Sequence, residues 1–238
     1  VSDFFLQSKS IENDRVDIWQ TSLIRSSLAI KELASSLNIE ERSRADKFKL
    51  EIHRNRFIVA RGVLRQILSL YLDLNPNKIE FIYSDRGKPY LSEDRLNLQF
   101  NLSHSEDLAV YAITQNKKIG IDVEYINSKN DCLDIARRFF SAKEIKTIEA
   151  ATKAERSQLF FQFWTAKEAY LKATGEGLSG SLDKVEMNLE KGKYIYTIDG
   201  KNIPNWQLYK FEPIEKYLAT VAVEIETEGL LNFHRNYL

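Results

Sequence analysis

Apolar positions recur along this chain with two periods, near two and near three-and-a-half residues, and the alternation between them marks out the elements. Val16 and Ile18 alternate with Asp17 ahead of Trp19, which predicts a first strand. From Ser27 to about Leu74 the period is helical. Leu28, Leu33 and Leu37 form one stripe, and Asn38 followed by Glu41 is a capping signal for a second helix. Phe57, Ala60, Leu64, Ile67 and Leu68 return every three or four residues, so a helix from about His53 to Leu72 should face a core. On that helix Arg54, Arg61 and Arg65 are expected to project from the opposite side.

Lys78 to Ser84 reads as a strand, and Asp85 to Pro89 as a turn in which Gly87 is free to take a positive φ. Leu98–Leu102 and Leu108–Ile113 are two apolar strands separated by Ser103 to Asp107, and Lys118 to Ile126 is another. Asp131 to Phe140 predicts a short helix, and Ala142 to Gly175 one or two longer ones. Strands follow at 185–189, 194–198, 206–211 and 217–223. The order strand, helices, strands therefore occurs twice. This predicts an α/β (α+β) protein of two halves, residues 1–116 and 117–238, packed tightly with a ligand cleft between them. No residue-level repeat accompanies that topology.

Composition narrows the function classes. The 238 residues include 34 Lys plus Arg and 34 Asp plus Glu, so no global positive field exists to hold nucleic acid. The basic stretch Arg54, Arg56, Arg61 and Arg65 lacks interleaved aromatics and fits a solvated helix face or a small phosphate site. Cys132 is the only cysteine, which excludes an internal disulfide and the usual Cys/His zinc sets. Its acidic neighbours make it a bland or buried thiol. No apolar run approaches the roughly 20 residues that span a bilayer, and residues 1–15 carry no signal-peptide pattern, so a soluble cytoplasmic protein is expected.

Three local patterns carry chemistry. Asp122 and Glu124 stand two apart on a strand and so share a face. Two carboxylates held together call for a positive partner, and a hard cation such as magnesium suits oxygen ligands, but a solvent-facing strand edge would carry the same pair. Glu168 and Lys172 lie one helical turn apart, the spacing of an ordinary surface ion pair. The flanking Phe160, Phe161, Phe163 and Trp164 argue instead for a partly buried carboxylate that needs a metal or a lysine. Ser103 and His104 are adjacent in a strand, which is poor geometry for a nucleophile and its base, though a turn there could grip a phosphate; the histidine could equally be structural. Gly175, Gly177 and Gly180 match a dinucleotide fingerprint but follow a helix rather than a strand, so they read as a helix stop.

Taken in order, Gly87-Lys88-Pro89, Phe100 to Ser105, Ile119 to Glu124, Arg138 to Ser141, Phe163 to Lys172 and Gly175 to Ser179 resemble the surfactin-type (Sfp-type) 4′-phosphopantetheinyl transferases. The likeness spans roughly residues 15 to 225. It implies two similar α/β halves in a pseudo-twofold arrangement with coenzyme A between them. It also implies that Asp122, Glu124 and Glu168 hold Mg2+ against the pyrophosphate, which Lys172 neutralises. Ser103, His104 and Arg56 would contact the 3′-phosphate, and Lys88 would lie along the adenosine; Arg42, Arg44 and Lys47 are further candidates for the phosphate site. The implied reaction moves phosphopantetheine to a serine of an apo acyl, peptidyl or aryl carrier protein and releases adenosine 3′,5′-bisphosphate. Asp122, Glu168 and Lys172 would be catalytic, with Glu168 as the base, and no nucleophile would be needed in this chain. The implied partner is an acidic, helical carrier domain of fatty acid, polyketide, nonribosomal peptide or lysine metabolism. It would meet a monomeric enzyme in part at residues 132–146, where Arg137, Arg138, Phe139 and Phe140 lie, unless the two phenylalanines belong to the core. A metal-dependent phosphoester hydrolase and a non-catalytic carrier-binding module are the rival readings.

Overall fold

The computed structural model describes residues 11–12, 14–93, 96–126, 132–176, 182–190, 193–225 and 231–238. Strand β1 (Arg15–Ser22) is followed by α1 (Ser27–Ser35), α2 (Ile39–Asp46) and the 22-residue α3 (Glu51–Leu72). The predicted helical stretch is thus cut into three by caps. Ser26 accepts from Ala29 N at the start of α1, and Asn38 and Glu41 form a reciprocal capping box on α2. A short hairpin of β2 (Phe81–Tyr83) and β3 (Pro89–Leu91) turns through Gly87 at φ +80°, as the turn chemistry requires. Strands β4 (Leu98–Ser105) and β5 (Leu108–Gln115) complete the first half. Trp19, Leu64, Ile67, Leu68, Phe100 and Tyr111 are the centre of its core.

The second half opens with β6 (Ile119–Tyr125), then α4 (Leu133–Phe139), α5 (Ala142–Ala150) and a second 22-residue helix, α6 (Lys153–Thr174). The small sheet of β7 (Val185–Glu190), β8 (Lys193–Ile198) and β9 (Lys201–Asn202) leads to β10 (Trp206–Phe211) and β11 (Tyr217–Glu224). In the first half β1 pairs antiparallel with β5, and β5 with β4; in the second, β6 pairs antiparallel with β11, and β11 with β10. The same strand order is therefore built twice, around one long helix each time, without residue-level repetition. A last strand, β12 (Asn232–Tyr237), pairs parallel with β1, giving the order β12-β1-β5-β4. It lies outside the predicted strands because its partner is over 200 residues away and its sequence is half polar.

The arginine stripe of α3 does not face solvent. Arg61 and Arg65 are buried, and each donates Nε to a different oxygen of the buried Glu41, at 2.9 and 2.7 Å. Only Arg54 of the three is exposed. The helical period correctly put Arg61 and Arg65 off the apolar stripe, but α2 packs there and supplies the countercharge, which makes burial tolerable. Cys132 is buried, as is Phe140, which stacks on Phe160; Phe139 is half-buried against Trp164. Among the described residues no helix is long and apolar enough to cross a membrane.

Candidate active site

The edge strands β4 and β6 run side by side. They belong to different sheets, and side chains bridge the seam. Ile121 N donates to Asn101 Oδ1 at 2.9 Å, and Tyr125 N to Ser105 Oγ at 3.1 Å. Between these, Ser103 Oγ donates to Asp122 Oδ1 at 2.9 Å. Against the face of β6 that Gly120 and Asp122 share lies α6. Gly120 makes that approach possible: a Cβ there would stand 2.0 Å from Ala169 O and 2.5 Å from Ala173 N, both backbone atoms. Only glycine lets the helix sit this low, and the helix carries Glu168 and Lys172.

The result is a cluster of carboxylates with one cation. Asp122 is 3% exposed, and its Oδ1 accepts from Lys172 Nζ at 2.6 Å as well as from Ser103. Lys172 Nζ also donates to Ser103 Oγ at 2.9 Å. Asp122 Oδ2 and Glu168 Oε1 are buried without a hydrogen-bond partner among the described residues. Burial first, then the charge of Asp122, pushes Glu168 up to about 7, with Lys172 opposing and Glu124 adding to the rise. Glu124 rises to about 6 for the same leading reasons, held back by hydrogen bonds from Ser105 and Trp164 and by Lys172. The three carboxylates thus sense one another, and one ammonium does not neutralise them all. Among the described residues no three His, Cys, Asp or Glu side chains stand in metal-holding geometry. The donor set nonetheless fits a hard divalent cation: all oxygen, two of the oxygens orphaned, and two pKa values raised by burial and then by a neighbouring carboxylate.

A cavity of about 320 Å³ opens beside this cluster, with Lys172 and His104 on its floor. One wall is the turn Gly87-Lys88-Pro89; the other carries Arg44, Phe48, Phe57 and Arg61 from α2, α3 and the link between them. Arg44 lies over the Phe57 ring at 5.5 Å, and Phe48 touches that ring from the side. The wall is therefore both cationic and flat, suited to a phosphorylated aromatic base. His104 opens to this cavity. Burial, then the positive charges of Lys172 and Arg56, lowers its pKa, with Asp122 opposing.

The predicted site residues divide into three groups. Asp122, Glu124, Glu168, Lys172 and Ser103 come together in one cluster. Ser103 and His104 occupy opposite faces of β4, so the serine meets Asp122 while the histidine meets the cavity. Lys88 borders the cavity, but its Nζ is bound to the carbonyls of Lys172 at 2.6 Å, Ala173 at 3.1 Å and Ile119 at 3.3 Å. It serves as a clamp on the C-terminal end of α6, where orphaned carbonyls and the helix dipole attract a cation. Burial, then Lys118, lowers its pKa to about 8. Arg56 is outside the cavity lining. It donates Nη2 to Asp107 Oδ1 at 2.7 Å and to Glu106 Oε2 at 3.1 Å, and it lines a separate groove with Ile24 and Ile52. The acidic turn that captures it is legible in the sequence; the pairing is not. Ser105 and Gly120 are the contributors that sequence reasoning left without a role of their own. Gly175 stops α6 at φ +79°, as expected, while Gly177, Ser179 and Gly180 lie outside the described residues.

Residues 118–222 match the family model of the 4′-phosphopantetheinyl transferase superfamily, and residues 19–116 match that of the 4′-phosphopantetheinyl transferase N-terminal region. The chain is 38% identical over 214 residues to the 4′-phosphopantetheinyl transferase HetI of Nostoc sp. strain PCC 7120, covering 89% of this chain and 88% of that protein. It is 35% identical over 173 residues to a putative 4′-phosphopantetheinyl transferase, slr0495, of Synechocystis sp. strain PCC 6803, covering 72% and 70%. It is 31% identical over 190 residues to the 4′-phosphopantetheinyl transferase Sfp of Bacillus subtilis strain 168, covering 79% and 83%.

Proposed function

Because this chain belongs to the 4′-phosphopantetheinyl transferase superfamily, we propose that it moves the 4′-phosphopantetheine of coenzyme A to a serine of an apo carrier protein, in the Sfp-type manner and with magnesium. The observation that carries the site assignment is the pair of buried, unpartnered oxygens on Asp122 and Glu168 beside the Lys172 ammonium, at the floor of a cationic, aromatic-walled cavity. The division into halves at 1–116 and 117–238 belongs to the same proposal. It is supported by the repeated strand order and by family matches that break between 116 and 118.

In this reading the nucleotide of coenzyme A lies against the Arg44–Phe57 wall and the Gly87-Lys88-Pro89 turn, and His104 meets its 3′-phosphate. Arg44 and Arg61, which line the cavity, take the phosphate-binding part that sequence reasoning gave to Arg56. Arg56 would have to leave Glu106 and Asp107 to join them. Lys172 lies against the pyrophosphate and stabilises the negative charge that builds on the leaving oxygen. Asp122, Glu124 and Glu168 would hold magnesium, which when bound supplies further neutralisation of the pyrophosphate. The carrier's serine oxygen bonds to the β-phosphorus as the bond from that phosphorus to the bridging oxygen breaks. The serine proton passes to Glu168, directly or through one water, and adenosine 3′,5′-bisphosphate leaves with the bridging oxygen. Ser103 holds Asp122 and Lys172 in register with each other throughout.

An acidic carrier domain would meet the outer face of α4, where Ile135 is 43% exposed and Arg137 and Arg138 are exposed. Phe140 takes no part there, since it is core, and Phe139 contributes at most its edge. The enzyme acts as a monomer in this reading. Release of adenosine 3′,5′-bisphosphate from coenzyme A, followed by chromatography, tests it. Release is expected only with both a carrier and Mg2+ present. Release without a carrier would instead establish a phosphoester hydrolase.

A further inference from the structure

Ser105 touches neither the cavity nor Lys172, yet it stands at the end of the seam that joins the halves. Asn101, Ser103 and Ser105 are alternate residues on β4 and share one face. Each reaches across to β6, and the three together do the work of a backbone ladder between two sheet edges. A serine hydroxyl has one proton and can accept as well. At Ser105 the Tyr125 N–H fills the accepting side at 3.1 Å, which leaves the proton to point at Glu124 Oε2, 2.8 Å away. The hydroxyl is thereby locked at both ends. Glu124 sits at the half-exposed end of β6, where Ser105 and Trp164 donate to its carboxylate.

We propose that Ser105 is a positioning residue for the metal: its oriented hydrogen bond, set beside the one from Trp164, keeps the Glu124 carboxylate aimed at the site shared with Asp122 and Glu168. The inference rests on the proposed metal role of these three carboxylates and goes beyond it, because it gives a residue on the other half of the molecule a part in metal affinity. Partners that orient a metal's ligands shift affinity by about 10- to 100-fold when removed.

The test is direct Mn2+ binding to the full chain, read from the electron paramagnetic resonance signal of the free ion, with coenzyme A absent and then present. Ser105→Ala is expected to raise the dissociation constant about tenfold. Ser105→Cys, which keeps the shape but donates poorly, should behave like it and provides a second variant if the alanine protein folds badly. Ser105→Thr, which keeps the hydroxyl, should restore binding to within a few-fold of the parent. In transfer assays Ser105→Ala should raise the magnesium requirement while the rate at saturating magnesium stays close to that of the parent. A purely structural role would lower the unfolding midpoint without moving the metal constant. Parent-like Mn2+ binding in Ser105→Ala and Ser105→Cys, with weakened binding in Glu124→Gln, overturns the role of Ser105 alone. Parent-like binding in all of these variants overturns the metal reading and this inference together.

Discussion

Replacing Glu168 by glutamine should abolish transfer and yet stabilise the metal-free protein at alkaline pH. In the folded state this carboxyl is raised from its ordinary 4.5 to about 7, chiefly by burial and then by the charge of Asp122. A carboxyl with the higher pKa when folded binds more protons in the native than in the unfolded state, so stability falls as pH rises. The loss begins near the unfolded value of 4.5 and is complete above 7. Each tenfold difference in proton affinity is about 1.4 kcal/mol, so the full loss is about 3 kcal/mol, and mutual relaxation with Asp122 and Glu124 brings it to about 1–3 kcal/mol. A neutral glutamine escapes this loss. Urea unfolding with a chelator present, from about pH 5 to pH 8.5, should show parent and Glu168→Gln nearly equal at the acid end and the variant ahead by about 1–3 kcal/mol at the alkaline end. Millimolar Mg2+ should then raise the parent above the variant. Parallel pH curves, or a variant less stable than the parent at alkaline pH, would refute the claim that this carboxylate is held in electrostatic tension.

Three further outcomes follow from the packing around the site. Gly120→Ala places a methyl against the α6 backbone at 2.0 Å, so α6 must lift; unfolding should show a loss of about 1–3 kcal/mol or more, and the transfer rate should fall at least about tenfold because Glu168 and Lys172 move with the helix. Glu41→Ala leaves the buried Arg61 and Arg65 without their shared countercharge and should cost about 3–5 kcal/mol in urea unfolding. Lys88→Met removes the donor that binds two carbonyls at the end of α6 and that of Ile119 at the start of β6; a loss of about 1–2 kcal/mol should be accompanied by faster amide exchange confined to the β6–α6 junction, and unchanged exchange there would argue against the clamp.

Local physics made much of this legible in the sequence. Alternation found β1, apolar runs found β4, β5, β6 and β11, which are buried largely on both faces, and the helical period found α3. Gly87 and Gly175 could be read as a turn and a helix stop, since both need positive φ. Spacing put Asp122 beside Glu124, and a helical turn put Lys172 beside Glu168. What the pattern could not supply was the partner across space. Arg61 and Arg65 read as a polar stripe, although Glu41 had already been placed one helix upstream to bury with them. The resemblance places Arg56 at a phosphate, whereas the acidic pair at 106–107 folds back on it across 50 residues of chain. Ser103 and His104 read as a unit because they are adjacent, whereas the pleat of β4 sends them to different sites. Lys88 shows the same limit, since its charge is used on α6 carbonyls more than 80 residues away.

The central claim is group transfer to a protein acceptor, and the intact mass of that acceptor tests it most directly. An apo carrier domain incubated with the enzyme, coenzyme A and Mg2+ should gain the mass of one phosphopantetheine. The gain should vanish when its acceptor serine is changed to alanine, and when Glu168→Gln replaces the parent enzyme. Carriers of several kinds that all keep their apo mass, while coenzyme A binds the enzyme, would contradict the account.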